Sequence, residues 1–146
     1  AKAGADEVMF LDSETHSNID ERSGMNIFVV YADGRIVSPT LTGSILPGVT
    51  RESILTLAAD RGLSPSEESV NYEALTADIA AGRVTEMFAC GTAAVINPIG
   101  ELRDEKATWT IGNGGSGEVT MALREELTGI QYGRVEDRHG WLTRLV

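Results

Sequence analysis

This chain is short of the residues that build cross-links and metal centres. Among 146 residues there is one cysteine, Cys90, and two histidines, His16 and His139. A single thiol excludes a disulfide within the chain, and without a Cys/His cluster at ligand spacing no metal site is expected. Basic side chains are also few, 12 against 22 acidic ones, which gives a formal net charge of -10 and a sequence pI of about 4.6. With no basic patch to break that balance, neither nucleic acid nor an anionic membrane is an expected partner. No apolar run approaches the roughly 20 residues of a membrane-spanning helix, and the N-terminus lacks a basic-then-apolar leader pattern. A cytoplasmic location is therefore the expectation. Internal repeats and low-complexity tracts are absent as well.

What is present suffices for one globular domain. Hydrophobic residues make up 42% of the chain, enough for a domain of this size to bury about two-thirds of its unfolded surface. Glu7 to Leu11 contains an apolar run with the pattern of a mostly buried strand, followed by a polar loop from Asp12 to Asp20. Asn26 to Tyr31 is rich in β-branched and aromatic residues; Ala32-Asp33-Gly34 is a hairpin turn, and Arg35 to Ser38 the return strand. The spacing of Ile54, Leu55, Leu57 and Ala58 predicts a helix from about Arg51 to Arg61 with Thr50 as N-cap and Gly62 as C-cap, after which Ser64-Pro65 breaks the pattern. A second helix is predicted from Asn71 to Gly82, its stripe being Tyr72, Leu75, Ile79 and Ala80. Val84 to Cys90 is an apolar strand, Ala94 to Thr110 holds short strands with turns near Pro98-Ile99-Gly100 and Asp104-Glu105, and Ser116 caps a last helix from Glu118 to Leu127, closed by Gly129. Gly112 to Gly117 is glycine-rich but lacks the Gly-Lys-Ser/Thr ending of a P-loop. Ala1-Lys2-Ala3-Gly4 reads as the last turn of a helix already under way, so the chain is expected to be the C-terminal part of a longer polypeptide.

Two stretches carry candidate chemistry. In Ile45-Leu46-Pro47-Gly48-Val49-Thr50-Arg51 a tight turn opens the first helix, whose unpaired N–H groups and positive dipole end make Val49 and Thr50 a seat for a phosphate. Gly91-Thr92, at the end of a buried strand, could add a hydroxyl and further N–H donors to the same anion. Each has a plain structural alternative: a Pro-Gly turn before a helix, and a tight turn after a strand. Glu21 by itself reads as a solvated loop acid and Leu46 as an ordinary core leucine.

Together, Glu21-Arg22-Ser23-Gly24-Met25-Asn26-Ile27-Phe28, Ile36-Val37-Ser38 and Leu46-Pro47-Gly48-Val49-Thr50-Arg51 resemble the signature of the class IV pyridoxal-phosphate aminotransferases. Ser38 stands where that family usually has threonine, and keeps the hydroxyl. Met87-Phe88-Ala89-Cys90-Gly91-Thr92-Ala93-Ala94, and Leu127 to Arg134 with Glu136-Asp137 and Gly140-Trp141, resemble the branched-chain group in particular. Arg22-Ser23 departs from the residues common after the family glutamate, and Ala94 and Asn97 replace the Cys-x-x-Cys pair of some relatives.

The resemblance implies an α/β fold, a barrel-like mixed sheet with outer helices, in which residues 1–146 are the cofactor-binding C-terminal domain. It implies pyridoxal 5′-phosphate as cofactor, with its phosphate at Val49, Thr50 and Thr92, its pyridine nitrogen beside Glu21 and its ring against Leu46. The backbone N–H of Ala93 would meet the substrate carboxylate. It further implies amino transfer between leucine, isoleucine or valine and 2-oxoglutarate, a homodimer or larger assembly, and an N-terminal domain bearing the Schiff-base lysine and a phosphate-binding arginine. Lys2 and Lys106 do not occupy the position of that lysine, so no catalytic residue is assigned within this chain. A D-amino acid aminotransferase, an aminodeoxychorismate lyase, and a non-catalytic phosphate-binding or oligomerisation module stay open as alternatives.

Overall fold

The computed structural model describes residues 5–145, so the helix end expected at residues 1–4 lies outside it. In chain order the elements are β1 (Met9–Leu11), β2 (Ile19–Arg22), β3 (Asn26–Tyr31), β4 (Arg35–Pro39), α1 (Val49–Asp60), β5 (Ser64–Glu68), α2 (Tyr72–Ala80), β6 (Val84–Gly91), β7 (Val95–Pro98), β8 (Glu101–Arg103), β9 (Thr108–Thr110) and α3 (Glu118–Gln131).

The most apolar strand takes the centre of the main sheet, whose order is β5-β4-β3-β6-β7. β3 is antiparallel to β4 on one side and to β6 on the other, with Phe28 opposite Phe88 and Asn26 opposite Cys90. The Phe28 and Phe88 rings stack with centroids 5.0 Å apart. Alternate side chains along β3 and β6 point to opposite faces, and both faces are covered. Phe28, Val30, Ile36 and Phe88 meet Ile54 and Leu57 of α1 and Leu123 and Leu127 of α3. Ile27, Val29, Val37 and Met87 meet Leu75 and Ile79 of α2, with Leu102 and Ile111. Each such side chain contributes about 1.5–3 kcal/mol when fully buried, so these two interfaces dominate the stability. The expected α/β class, mixed sheet and outer helices are found. The sheet is open among the described residues, with β5 and β7 as its edges, rather than closed into a barrel.

Several local expectations are corrected. Ser64-Pro65 does not end the regular structure: Ser64–Glu68 is β5, parallel to β4, with α1 as the crossover between them. Its sequence hides it because SPSEE has neither β-branched nor aromatic residues, and an edge strand tolerates a proline that no central strand would. The first strand is shorter than expected and not buried, with Phe10 50% exposed. It pairs only with β2 in a two-stranded ribbon. β2 itself takes up the end of the expected polar loop, so Ile19 and Asp20 are buried strand residues and Glu21 is a strand residue, not a loop acid. The remaining loop is ordered by Asp12, whose carboxylate accepts from the N–H of Thr15, Ser17 and Asn18 and is thereby held well below the usual carboxylate range.

The second helix begins as expected, with Asn71 Oδ1 accepting from the Ala74 N–H at 3.0 Å. The last helix starts at Glu118 as expected but differs in its cap and in its end. Its N-cap is Gly117 rather than Ser116, and the cap is supplied from across the sheet: Glu86 of β6 accepts from the N–H of Val119 and Thr120 at 3.0 and 2.7 Å, and from the Thr120 hydroxyl at 2.7 Å. A carboxylate thus already occupies the positive end of this helix, which removes the glycine-rich stretch before it as an anion seat. At the other end Gly129 is inside the helix and buried, and Gly133, at φ +67°, follows its end. The segment beyond packs back, with Arg138 paired to Glu126 at 2.7 Å and His139 Nε2 2.7 Å from Asp60.

A Cβ added at Gly117 would overlap the Glu86 carboxyl group. Gly117→Ala should therefore displace that cap and lower the unfolding free energy by about 1–3 kcal/mol. Denaturant titration of the full-length protein checks this, and unchanged stability would show that the Glu86 contact contributes nothing.

Candidate cofactor-binding site

The strand ends converge on one edge of the sheet. β4 and β6 finish there, β3 begins there, and α1 starts from the segment that follows β4. The helix starts two residues earlier than the sequence pattern suggests. Gly48, at φ -72° and ψ 132°, is the N-cap, and Val49 and Thr50 are the first two helical residues, so Thr50 does not cap. The first helical bond runs from the Glu52 N–H to the Gly48 carbonyl at 3.1 Å. The N–H groups of Val49, Thr50 and Arg51 precede it and have no partner within the helix. No side chain caps this end, whereas Asn71 caps α2 and Glu86 caps α3. Val49 is 79% exposed and Thr50 half-buried, so the uncapped donors open outwards.

The second donor group is the turn between β6 and β7. Gly91 pairs with Val95, leaving Thr92, Ala93 and Ala94 exposed as a three-residue loop. Val95 closes it at φ +58°, a conformation that β-branched residues rarely adopt and that costs on the order of 1–3 kcal/mol. Cys90, the residue before this turn, is fully buried, and burial pushes its thiol up to about 12 against the opposing pull of Arg51. It is a neutral packing residue and no nucleophile.

Glu21 is half-buried on β2, opposite Phe10, and is carried to β3 by the two-residue turn Ser23-Gly24. Both turn residues have positive φ, 45° and 80°, as a tight hairpin of this hand requires. Arg22 points away from Glu21 along the ribbon and pairs with Glu7 at 3.2 Å. Leu46 is 70% exposed, which rules out the reading of an ordinary core leucine. The structure thus gathers Leu46, Val49, Thr50, Thr92 and Ala93 at one sheet edge, with Glu21 on the ribbon that leads into it. Lys106 is exposed in the connection between β8 and β9, away from this edge, and Lys2 lies outside the described residues.

Sequence reading missed the residues that hold these groups in place. Arg51 is buried at 4% exposure; its Nε donates to Ser38 Oγ at 3.0 Å, its Nη2 donates to the Pro39 carbonyl at 3.0 Å and pairs with Glu67. Ser38 Oγ in turn donates to the Ile27 carbonyl at 2.8 Å. The first turn of α1 is thereby tied to β3 and β4 through a serine hydroxyl that a threonine would supply equally. The sequence carries only a positional hint, too weak to single it out: Arg51 stands three residues before Ile54, on the face of α1 that is buried. The site's donor set suits a phosphate in kind: uncapped helical N–H groups, two threonine hydroxyls and a turn with exposed amides.

Comparison with known proteins identifies the family. A family model described as amino-transferase class IV matches residues 1–102. A branched-chain-amino-acid aminotransferase of Mycobacterium tuberculosis is 48% identical over 148 residues, covering 99% of this chain and 40% of the relative. One of Mycolicibacterium smegmatis is 45% identical over 148 residues, with the same coverage of 99% and 40%. Among solved structures, the branched-chain amino acid aminotransferase of Escherichia coli superposes with a TM-score of 0.81 at 33% identity, over 98% of this chain and 44% of that one. The branched-chain aminotransferase of the archaeon Thermoproteus uzoniensis, solved with norvaline, superposes with a TM-score of 0.79 at 34% identity, over 97% and 42%. The chain spans about 40% of the length of the curated relatives it matches.

Proposed function

Because the chain belongs to the class IV aminotransferases, we propose that it is the cofactor-binding C-terminal domain of a branched-chain aminotransferase. With an N-terminal domain of the same protein it would bind pyridoxal 5′-phosphate and transfer amino groups between leucine, isoleucine or valine and 2-oxoglutarate. A homodimer or larger assembly in the cytoplasm fits the same reading, and no helix among the described residues is long and apolar enough to cross a membrane. The observation that carries the proposal is the uncapped start of α1 beside the Thr92 turn, in a chain 48% identical to a relative of that name.

Pyridoxal phosphate, when bound, supplies a ring that withdraws electrons from a carbon losing a proton. The roles of this chain's residues follow from their chemistry. The N–H groups of Val49 and Thr50 and the hydroxyls of Thr50 and Thr92 hold the phosphate, where helix dipole and charge-assisted hydrogen bonds act together. Glu21 holds a proton on the pyridine nitrogen by charge attraction and so strengthens the ring's pull. Exposed Leu46 covers one ring face, and the N–H of Ala93 orients the substrate carboxylate. The lysine that would carry the cofactor and move the substrate proton is assigned, as the family resemblance implies, to the N-terminal domain.

Thr92→Val removes a hydroxyl at little change in volume. In the full-length protein the free energy of pyridoxal-phosphate binding should weaken by about 1–3 kcal/mol. Fluorescence titration measures it, and unchanged affinity would take Thr92 out of the phosphate site.

A further inference from the structure

We propose that Asn26 is the positioning residue of the phosphate seat, the residue whose side chain holds the turn leading to one group of donors while its backbone pairs beside the other. This rests on the reading of that edge as a seat for the cofactor phosphate. Asn26 heads β3 as a 7% exposed polar residue before five apolar or aromatic ones. Its backbone lies opposite Cys90, one residue before the Gly91-Thr92 turn. Its side chain reaches the other donor group: Nδ2–H donates to the Leu46 carbonyl at 2.9 Å, and Oδ1 lies against Gly48, where an added Cβ would overlap it. One amide therefore touches both ends of Leu46-Pro47-Gly48, the turn that delivers Val49 and Thr50. Met25, the preceding residue, abuts Gly91 in the same way, its Cγ 3.3 Å from where a Cβ would stand. Residues 25 and 26 thus bridge the two halves of the seat, one half through strand pairing and the other through a side chain.

The chemistry requires an amide. A carboxylate of the same shape has no hydrogen to give the Leu46 carbonyl and would set two oxygens against each other beside an anion site. An alanine would leave that carbonyl without its partner. The first helical turn is tied separately through Arg51 to Ser38 and Pro39. Loss of the Asn26 contact therefore releases the turn together with the first helical N–H groups it delivers, while α1 from Arg51 onward stays anchored. The consequence is local: phosphate recognition suffers, and the rest of the cofactor site does not.

The test compares pyridoxal 5′-phosphate with pyridoxal, which lacks the phosphate, on full-length protein. Asn26→Asp and Asn26→Ala should each weaken pyridoxal-phosphate binding by about tenfold or more, while pyridoxal affinity stays within about twofold. Equal weakening of both ligands, or no weakening of either, would overturn the role. Wild-type protein that bound the two ligands equally would overturn the phosphate seat itself, and this role with it. Gly48→Ala supplies an independent arm that does not depend on the Asn26 variants folding alone. Its backbone angles of -72° and 132° suit alanine, so its only conflict is with the Asn26 amide. It should lower the same affinity ratio, and adding Asn26→Ala should give no further loss, because both changes remove one contact. Multiplying losses would overturn the proposal.

Discussion

Full-length protein carrying Glu21→Gln is expected to retain its fold and lose about 10²–10⁴-fold in kcat, the range over which positioned acid–base groups act. The substitution nearly preserves size and removes the charge. Glu21 lies half-buried on a strand, opposite Phe10, and not in a free loop, so its backbone position is fixed by strand pairing. A neutral amide there could not favour a protonated pyridine nitrogen by charge, so the ring would withdraw electrons less strongly. The loss should fall on kcat rather than on KM alone, since the interaction matters most when charge develops in the ring. Single-turnover amino transfer from leucine measures the step directly. Wild-type rates would mean that Glu21 is a surface carboxylate with no part in the reaction.

Val49→Pro should separate helix from seat. Proline is tolerated at the first helical position, because its missing N–H is one the helix does not use, and its fixed φ suits the helix. Gly48 already has the extended geometry demanded of a residue before proline, φ -72° and ψ 132°. The fold and its thermal stability should therefore be kept. One phosphate donor is deleted, and hydrogen bonds to charged groups are worth about 1.5–3 kcal/mol, so affinity for pyridoxal phosphate should fall by about 10- to 150-fold. Pyridoxal affinity should be unaffected. A variant that binds the phosphorylated cofactor normally would remove the α1 N-terminus from the site.

Where physical pattern was strong, the fold was legible in the chain. The β-branched and aromatic run of Asn26–Tyr31, the Asn71 cap and the Leu75/Ile79 stripe announced β3 and α2 correctly. β5 was invisible because SPSEE is held by pairing with β4 and by the α1 crossover rather than by its own propensity. The start of α3 at Glu118 was read correctly, but its cap was not, because the cap comes from Glu86, 31 residues upstream of Gly117, and no local motif records a contact made across the sheet. Of the candidate site, the donor-rich turns were readable, and the clamps that fix them were not. Arg51 looks like a surface residue in a helix, and Asn26 like an imperfect strand start, until Ser38 and Leu46 are placed beside them.

The central claim is that this chain supplies the cofactor-binding part of a branched-chain aminotransferase. Its most direct test is transfer of label from ¹⁵N-leucine to 2-oxoglutarate by the full-length protein with pyridoxal 5′-phosphate. The expected product is ¹⁵N-glutamate, formed saturably, dependent on the cofactor and suppressed together by Glu21→Gln and Val49→Pro. Folded full-length protein that binds the cofactor yet leaves the label on leucine would contradict it.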